Sequence, residues 1–141
     1  MQLKKVDHLV LQTQDLAACL AFYEKIGFTV KEEEGKFRLY GGDFRLNVFP
    51  LGSQKQPRAH TVCAGCFDIC LEMQGHIADI KKELQEKGLT IENGIVPRFG
   101  VKGPLSSVYL RDPDGNLIEL SVYDAEEMKN EKEAVVHPFG H

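Results

Sequence analysis

The strongest indication of the fold lies in the residues Arg111-Asp112-Pro113-Asp114-Gly115-Asn116-Leu117-Ile118-Glu119-Leu120-Ser121. Its first half is turn chemistry, because Pro113 fixes φ, Asp114 tolerates a tight turn and Gly115 supplies a positive φ. The pattern therefore predicts a hairpin between two strands. After the turn the residues alternate between the two faces of a strand, so Glu119 is aimed in a fixed direction. Both a solvated glutamate and a functional carboxylate fit this pattern.

Length and composition indicate one domain, or two small modules that share a core. The chain has 141 residues and a net charge of −4, and 43% of its residues are hydrophobic. This length and hydrophobic content are enough to bury a core without disulfides. No apolar run approaches the length needed to cross a bilayer, and the N-terminus enters a strand pattern instead of a signal peptide. We therefore expect a soluble, cytoplasmic protein. Without a clustered Lys/Arg face, nucleic acid and membrane are not expected partners, and a small molecule is.

The four cysteines are Cys19, Cys63, Cys66 and Cys70. Cys63 and Cys66 have the CxxC spacing of redox and zinc sites, but the chain contains no second CxxC and the flanks are not thioredoxin-like. Cys19 lies on the apolar stripe of a predicted helix and Cys70 lies in a predicted strand, where a free cysteine behaves as a small hydrophobe. Reduced thiols are therefore the expectation.

Periodicity predicts the element order β-α-β-β-β twice along the chain. In the first half, a strand from Val6 to Gln12 precedes a helix that starts near Asp15 and stops at Gly27. In the second half, a strand from Phe67 precedes a helix that stops at Gly88. We divide the chain into a first module at 3–50, a connector at 51–65, a second module at 66–123 and a charged, exposed C-terminal tail at 124–141. Within the second module, the glycine-containing stretch from Phe99 to Pro104 is expected to be a loop, either a lid over an anionic substrate or a plain connector. Superposing the modules sets His8 against Asp68, which indicates a divergent tandem repeat.

These features resemble the vicinal oxygen chelate superfamily, which includes glyoxalase I, extradiol dioxygenases and the fosfomycin- and bleomycin-resistance proteins. The resemblance rests on the opening Val6-Asp7-His8-Leu9-Val10-Leu11, on Phe22-Tyr23, on the repeat and on Asp112-Pro113-Asp114-Gly115-Asn116-Leu117-Ile118-Glu119. It covers residues 3–123. Within the superfamily, the chain is most similar to small glyoxalase-domain-5-like and virulence-associated members.

The resemblance implies an α+β fold in which two tandem βαβββ modules form a cup-shaped, incompletely closed mixed β-sheet barrel with the helices outside. It also implies a divalent metal ion held by a histidine from the first strand and a glutamate from the last, here His8 and Glu119. A third ligand comes from the first strand of the second module, which corresponds to Asp68. Strand alternation agrees with this set, because it puts His8 and Asp68 on the faces that the cup would enclose.

Asn47 stands where glyoxalases have a fourth ligand, and the remaining set is rich in oxygen. Such a set favours Mn²⁺, Fe²⁺ or Mg²⁺ over Zn²⁺ or Ni²⁺, although the ion itself stays open. Open coordination positions suit a substrate that chelates through two neighbouring oxygens. Glu119 is also a candidate catalytic residue. A second candidate is His60 in the connector, which acts at the mouth of the cup as an acid, a base or a ligand, or else lies in solvent.

Three functions remain open at this point. The first is a metal-dependent lyase, isomerase or dioxygenase that acts on a small vicinal-oxygen substrate. The second is a metal-free binding protein of the bleomycin-resistance type, and the third is a scaffold that has lost its chemistry. A homodimer is expected in each case, because short sheets leave edges to cover.

Overall fold

The computed structural model describes residues 1–129. His137, His141 and most of the predicted tail lie outside the described residues. The elements in chain order are β1 (His8–Thr13), α1 (Leu16–Lys25), β2 (Thr29–Glu33), β3 (Lys36–Gly41), β4 (Phe44–Pro50), β5 (Asp68–Glu72), α2 (Ile77–Glu86), β6 (Glu92–Gly100), β7 (Gly103–Arg111) and β8 (Leu117–Tyr123). A further helical segment, α3, follows at 124–129. None of the described helices is long and apolar enough to span a membrane.

The first compact unit comprises Met1–Phe67 together with Asp112–Asn116. Its four strands form a mixed sheet in the order β1-β4-β3-β2, in which β1 runs parallel to β4 and the other neighbours are antiparallel. Leu11, Leu39 and Leu46 are buried on one face of this sheet. Helix α1 contacts β2, β3 and β4. This unit therefore has the predicted βαβββ order.

Helix α1 begins and ends where the sequence predicts. The Asp15 carboxylate accepts a hydrogen bond from the backbone N–H of Ala18 at 3.1 Å, which satisfies one of the free donors of the first turn. At the other end, Gly27 adopts a φ of 114°. The Phe28 N–H then donates to the Tyr23 carbonyl at 3.0 Å, as in a Schellman termination.

The second compact unit comprises Asp68–Arg111 and the described residues from Leu117 onward. Its strands form a mixed sheet in the order β5-β8-β7-β6, with β5 parallel to β8. Helix α2 ends like α1, because Gly88 has a φ of 77° and the Leu89 N–H donates to the Leu84 carbonyl at 3.0 Å. The predicted α+β class and the two tandem βαβββ modules are confirmed.

Two details differ from the sequence-based expectation. The glycine-containing stretch from Phe99 to Pro104, which the sequence indicates as a loop, is the tip of the β6–β7 hairpin: Phe99 pairs with Pro104 and Gly100 with Gly103. A hydrogen bond holds the tip against β8, because the Lys102 N–H donates to the Tyr123 hydroxyl at 3.1 Å. Strand pairing therefore extends further than the glycines suggest.

The second difference is that the tail begins as helix α3 and caps α2. The Glu127 carboxylate accepts the Ile77 N–H at 2.6 Å and lies 2.6 Å from His76 Nδ1. A negative group at a helix N-terminus satisfies free N–H donors and interacts favourably with the helix dipole. This part of the tail therefore packs within the second unit.

Candidate functional site

Register places a group of chemically active side chains on one face of the second sheet, which we call the second polar face. The opposite face carries the buried apolar residues Val108, Ile118 and Leu120. The polar and ionisable members of the second polar face include Asp68, Cys70 and Glu72 on β5, Glu119 and Ser121 on β8, Ser107, Tyr109 and Arg111 on β7, and Glu92 and Arg98 on β6.

Glu119 is held in one orientation by two serine hydroxyls. Ser107 donates to Glu119 Oε2 at 2.7 Å, and the Ser121 hydroxyl lies 3.2 Å from the same oxygen. The two hydroxyls are 2.6 Å apart, and both serines are fully buried. A buried hydroxyl is costly unless it is hydrogen-bonded, so this network both satisfies the serines and fixes the carboxylate.

Cys70 and Asp68 extend the second polar face onto the neighbouring strand. Cys70 pairs with Glu119 in register, and its Sγ lies 3.3 Å from the Ser121 hydroxyl. Although Cys70 as a residue is exposed, partial burial of its thiol raises its pKa, and the nearby Glu119 and Asp68 charges raise it further. The thiol is therefore protonated near neutral pH. Asp68 is exposed at the start of β5.

Tyr109 and Arg98 form a pair on the far side of Glu119. Arg98 Nε donates to the Tyr109 hydroxyl at 3.0 Å, and the guanidinium carbon lies 5.5 Å from the ring centroid. Burial raises the pKa of Tyr109, while the hydrogen bond from Arg98 lowers it. Tyr109 is the register partner of Glu119. The pairing of β7 with β8 thus places the Tyr109 phenol, with Arg98 bound to it, beside the Glu119 carboxylate.

His8 lies at the start of β1 in the first unit. Its Nδ1 is 2.7 Å from Asp7 Oδ1, and this contact lowers the pKa of Asp7. With Nδ1–H donating to the carboxylate, the lone pair of the ring is on Nε2. Metal-binding histidines commonly have this arrangement, in which a carboxylate fixes the tautomer.

The other predicted catalytic residue, His60, is exposed in the connector. It does not line the pocket that the structure forms there, which has a volume of about 130 Å³. That pocket is lined by Val10, Leu11, Gln12, Lys55, Arg58, Ala59, Thr61, Val62, Cys63, Cys66, Phe67 and Asn116. Within residues 1–129, no group of three or more His, Cys, Asp or Glu side chains is arranged to hold a metal ion.

The turn at Asp112–Asn116 has a structural role that the sequence did not reveal. Asp112, 4% exposed, accepts hydrogen bonds from the N–H groups of Asp114 and Asn116, from the Asn116 amide and from the Tyr23 hydroxyl. Asp114 accepts from the Thr13 hydroxyl at 2.6 Å. Asp112 is therefore a buried acceptor and Asp114 a half-buried one, both within the first unit. The nearest sequence signal is the spacing of two acids and an asparagine at alternate positions.

Comparison with known proteins identifies the fold and its relatives. The Glyoxalase/Bleomycin resistance protein/Dioxygenase superfamily matches residues 5–120. The chain belongs to this superfamily. It is 37% identical over 124 residues to the glyoxalase domain-containing protein RDO1 of Mycosarcoma maydis, covering 87% of this chain and 70% of that protein. It is 35% identical over 125 residues to virulence protein STM3117 of Salmonella typhimurium, covering 87% of each.

A solved structure supports the same assignment. An integron cassette protein from the mobile metagenome of V. cholerae superposes with a TM-score of 0.85 at 37% identity, covering 88% of this chain and 98% of that one. Members of the superfamily often use divalent metals. His8 and Glu119 are each of a side-chain type that binds divalent ions, and each is fixed by a hydrogen-bonded neighbour, Asp7 for His8 and Ser107 for Glu119.

Proposed function

We propose that the protein is a divalent-metal enzyme that acts on a small substrate with two neighbouring oxygens. His8, Asp68 and Glu119 supply the ligands. The observation that carries the proposal is the orientation of Glu119 by the buried hydroxyls of Ser107 and Ser121. Hydrogen-bonded outer groups of this kind are typical of carboxylates that bind metals.

A structural role explains the serines less well. A glutamate that only covers the sheet needs no fixed orientation, since solvent satisfies its oxygens. Here two hydroxyls with no exposed surface converge on one carboxylate oxygen. They restrict the carboxylate to one rotamer, which reduces the entropy lost when it binds an ion.

The remaining groups have distinct roles in this proposal. A bound divalent ion supplies Lewis-acid polarisation of the substrate oxygens. Arg98, stacked on Tyr109, provides positive charge for an anionic substrate. His60 acts as a proton donor or acceptor, because histidine is the side chain most often used for proton transfer. The ion is left open among Mn²⁺, Fe²⁺, Zn²⁺, Ni²⁺ and Mg²⁺.

The first test is elemental analysis of protein purified without chelators. A stoichiometric transition metal is the expected result. The second test is calorimetric titration of chelator-stripped protein with Mn²⁺, in which Glu119→Gln weakens binding by about tenfold or more. Glu83→Gln is the matched control, because it removes the same charge from the exposed ion pair that Glu83, on α2, forms with Lys87 just after the helix.

The outcomes separate the candidate functions. Identical Mn²⁺ affinity for wild type and Glu119→Gln, or no Mn²⁺ binding by wild type, overturns the proposed site. Weakening by Glu83→Gln as large as by Glu119→Gln indicates a general charge effect and also counts against it. A metal-free protein that binds a small molecule with unchanged affinity in EDTA supports the bleomycin-resistance-type alternative.

A further inference from the structure

The first sheet has its own polar face, which differs in charge from that of the second. Register places these side chains on the face opposite the buried leucines, and we call them the first polar face: His8, Val10, Gln12, Thr29, Lys31, Glu33, Lys36, Arg38, Tyr40, Arg45, Asn47 and Phe49. Four of them are cations, namely Lys31, Lys36, Arg38 and Arg45. The acid among them is Glu33. The face is therefore basic overall.

Most of these charges have partners in the first unit. Arg38 donates to Glu33 at 2.8 Å, and the Tyr40 hydroxyl lies 3.2 Å from the same carboxylate. Lys31 Nζ lies 5.1 Å from the centroid of the Tyr40 ring. The guanidinium carbon of Arg45 lies 5.9 Å from the same centroid. Glu33 is thus engaged by Arg38 and Tyr40, and the acid that interacts electrostatically with Arg45 is Asp7.

Two buried polar atoms on this face lack a hydrogen-bond partner among the described residues. They are Arg45 Nε and Asn47 Oδ1. A buried polar group left without a partner costs about 1–3 kcal/mol, and more when it is charged. Native structures rarely keep such groups unless a ligand, ion or water completes them. Two of them at alternate positions of one strand point to a shared occupant.

The two atoms define the chemistry of that occupant. Arg45 Nε requires an acceptor, and a guanidinium matches a carboxylate best because both are planar and can form paired bonds. Asn47 Oδ1 requires a donor, such as a hydroxyl. Residues at alternate positions on a strand are about 7 Å apart at their Cα atoms, so one small molecule can reach both side chains.

We propose that Arg45 and Asn47 form a binding site for a small hydroxycarboxylate. The carboxylate accepts from the Arg45 guanidinium and the hydroxyl donates to Asn47 Oδ1. This site goes beyond the proposed metal chemistry and does not require it, because neither residue is among the proposed metal ligands.

The internal repeat shows how this site could arise. Asn47 pairs with Val10 in the first sheet, and Glu119 pairs with Cys70 in the second, so Asn47 and Glu119 occupy equivalent positions. By the same register, Arg45 is equivalent to Leu117. The second module therefore presents an acid where the first presents an amide beside a cation. The Glu119 position suits a metal ion, and the Asn47 position, beside Arg45, suits an anion.

The test uses glycolate as the probe and the full chain in EDTA, followed by NMR titration of backbone amide shifts. Glycolate is expected to bind more tightly than acetate, which lacks the hydroxyl, and than ethylene glycol, which lacks the carboxylate. Arg45→Met is expected to weaken glycolate binding by about tenfold or more. Asn47→Leu is expected to remove about a fivefold preference for glycolate over acetate.

The matched control is Arg38→Met. It removes the same charge from the neighbouring strand of the same face, but Arg38 already has Glu33 as its partner. Arg38 is the register partner of Asn47, but its charge is already compensated by the Glu33 carboxylate, so glycolate affinity is expected to change by less than about twofold in this variant. If Arg38→Met weakens binding as much as Arg45→Met, a diffuse charge effect explains the binding and the site is refuted.

A second, more conservative variant keeps the test valid if Arg45→Met does not fold. Arg45→Lys keeps the charge and the aliphatic stem but has no Nε–H, so it is also expected to weaken glycolate binding, by about fivefold or more. Absence of wild-type shifts at saturating glycolate, or equal affinity in wild type and Arg45→Lys, overturns the proposal. Because EDTA is present throughout, failure of this site and failure of the metal site are distinguishable.

Discussion

Replacing Asp112 by Asn tests whether the Asp112–Asn116 turn is structural. Asp112 Oδ1 accepts the N–H groups of Asp114 and Asn116, both at 2.9 Å. Its Oδ2 accepts from the Asn116 amide at 2.7 Å and from the Tyr23 hydroxyl at 2.6 Å. An asparagine has nearly the same shape but carries an NH₂ group, which must face one of these two pairs of donors.

The magnitude follows from the number of bonds lost. Each hydrogen bond to a buried charged group contributes about 1.5–3 kcal/mol, and the NH₂ group of asparagine cannot accept two of the four. The Tyr23 hydroxyl can turn to accept from the new amide, which recovers part of the loss. We therefore expect Asp112→Asn to lower the free energy of unfolding by about 2–4 kcal/mol.

Urea denaturation followed by circular dichroism measures this change. With a slope of about 2 kcal/mol per molar urea, the midpoint shifts down by about 1–2 M. The control is Asp43→Asn, whose carboxylate is exposed in an ion pair with Lys5 and whose loss costs about 0–1 kcal/mol. Metal affinity measured on folded Asp112→Asn should equal that of wild type. A loss under about 0.5 kcal/mol, or one matched by Asp43→Asn, refutes the reasoning.

Three further predictions concern pH, metal preference and assembly. Burial and the hydrogen bond to Asp112 raise the pKa of Tyr23. Above about pH 10 the unfolded chain therefore releases a proton that the folded chain keeps, and the free energy of unfolding falls with rising pH. In urea denaturation between about pH 9 and 11, Tyr23→Phe should show a flatter decline than wild type, and equal slopes contradict this. Asp68→His should tighten Zn²⁺ relative to Mn²⁺ in competitive calorimetric titrations, because it adds a nitrogen donor, and an unchanged preference argues against Asp68 as a ligand. The chain should form a homodimer that covers edge strands such as β1 and β6, and a mass of one chain by light scattering at micromolar concentration contradicts it.

Local patterns were enough to predict the elements and their repetition. Asp15 and Gly27 bracket α1 as the sequence indicates, because caps and positive-φ glycines act within a few residues of the chain. Alternation along β8 placed Glu119 and Ser121 on one face, since side-chain direction in a strand has a period of two. Family resemblance then proposed His8 and Asp68, at the starts of β1 and β5.

The environment of each side chain was decided only by the tertiary structure. Ser107 binds Glu119, 12 positions away, and Tyr23 binds Asp112, 89 positions away. The periodicity of a single strand or helix cannot predict such contacts, because they depend on the register between strands and on the packing of elements that are distant in sequence. The same holds for Arg45 and Asn47: alternation places both on one face, but only packing leaves Arg45 Nε and Asn47 Oδ1 buried without a hydrogen-bond partner in the part of the chain that the structure describes. Sequence therefore determined which faces are polar, and the folded structure determined which polar groups are paired, which are oriented and which have no protein partner among the described residues.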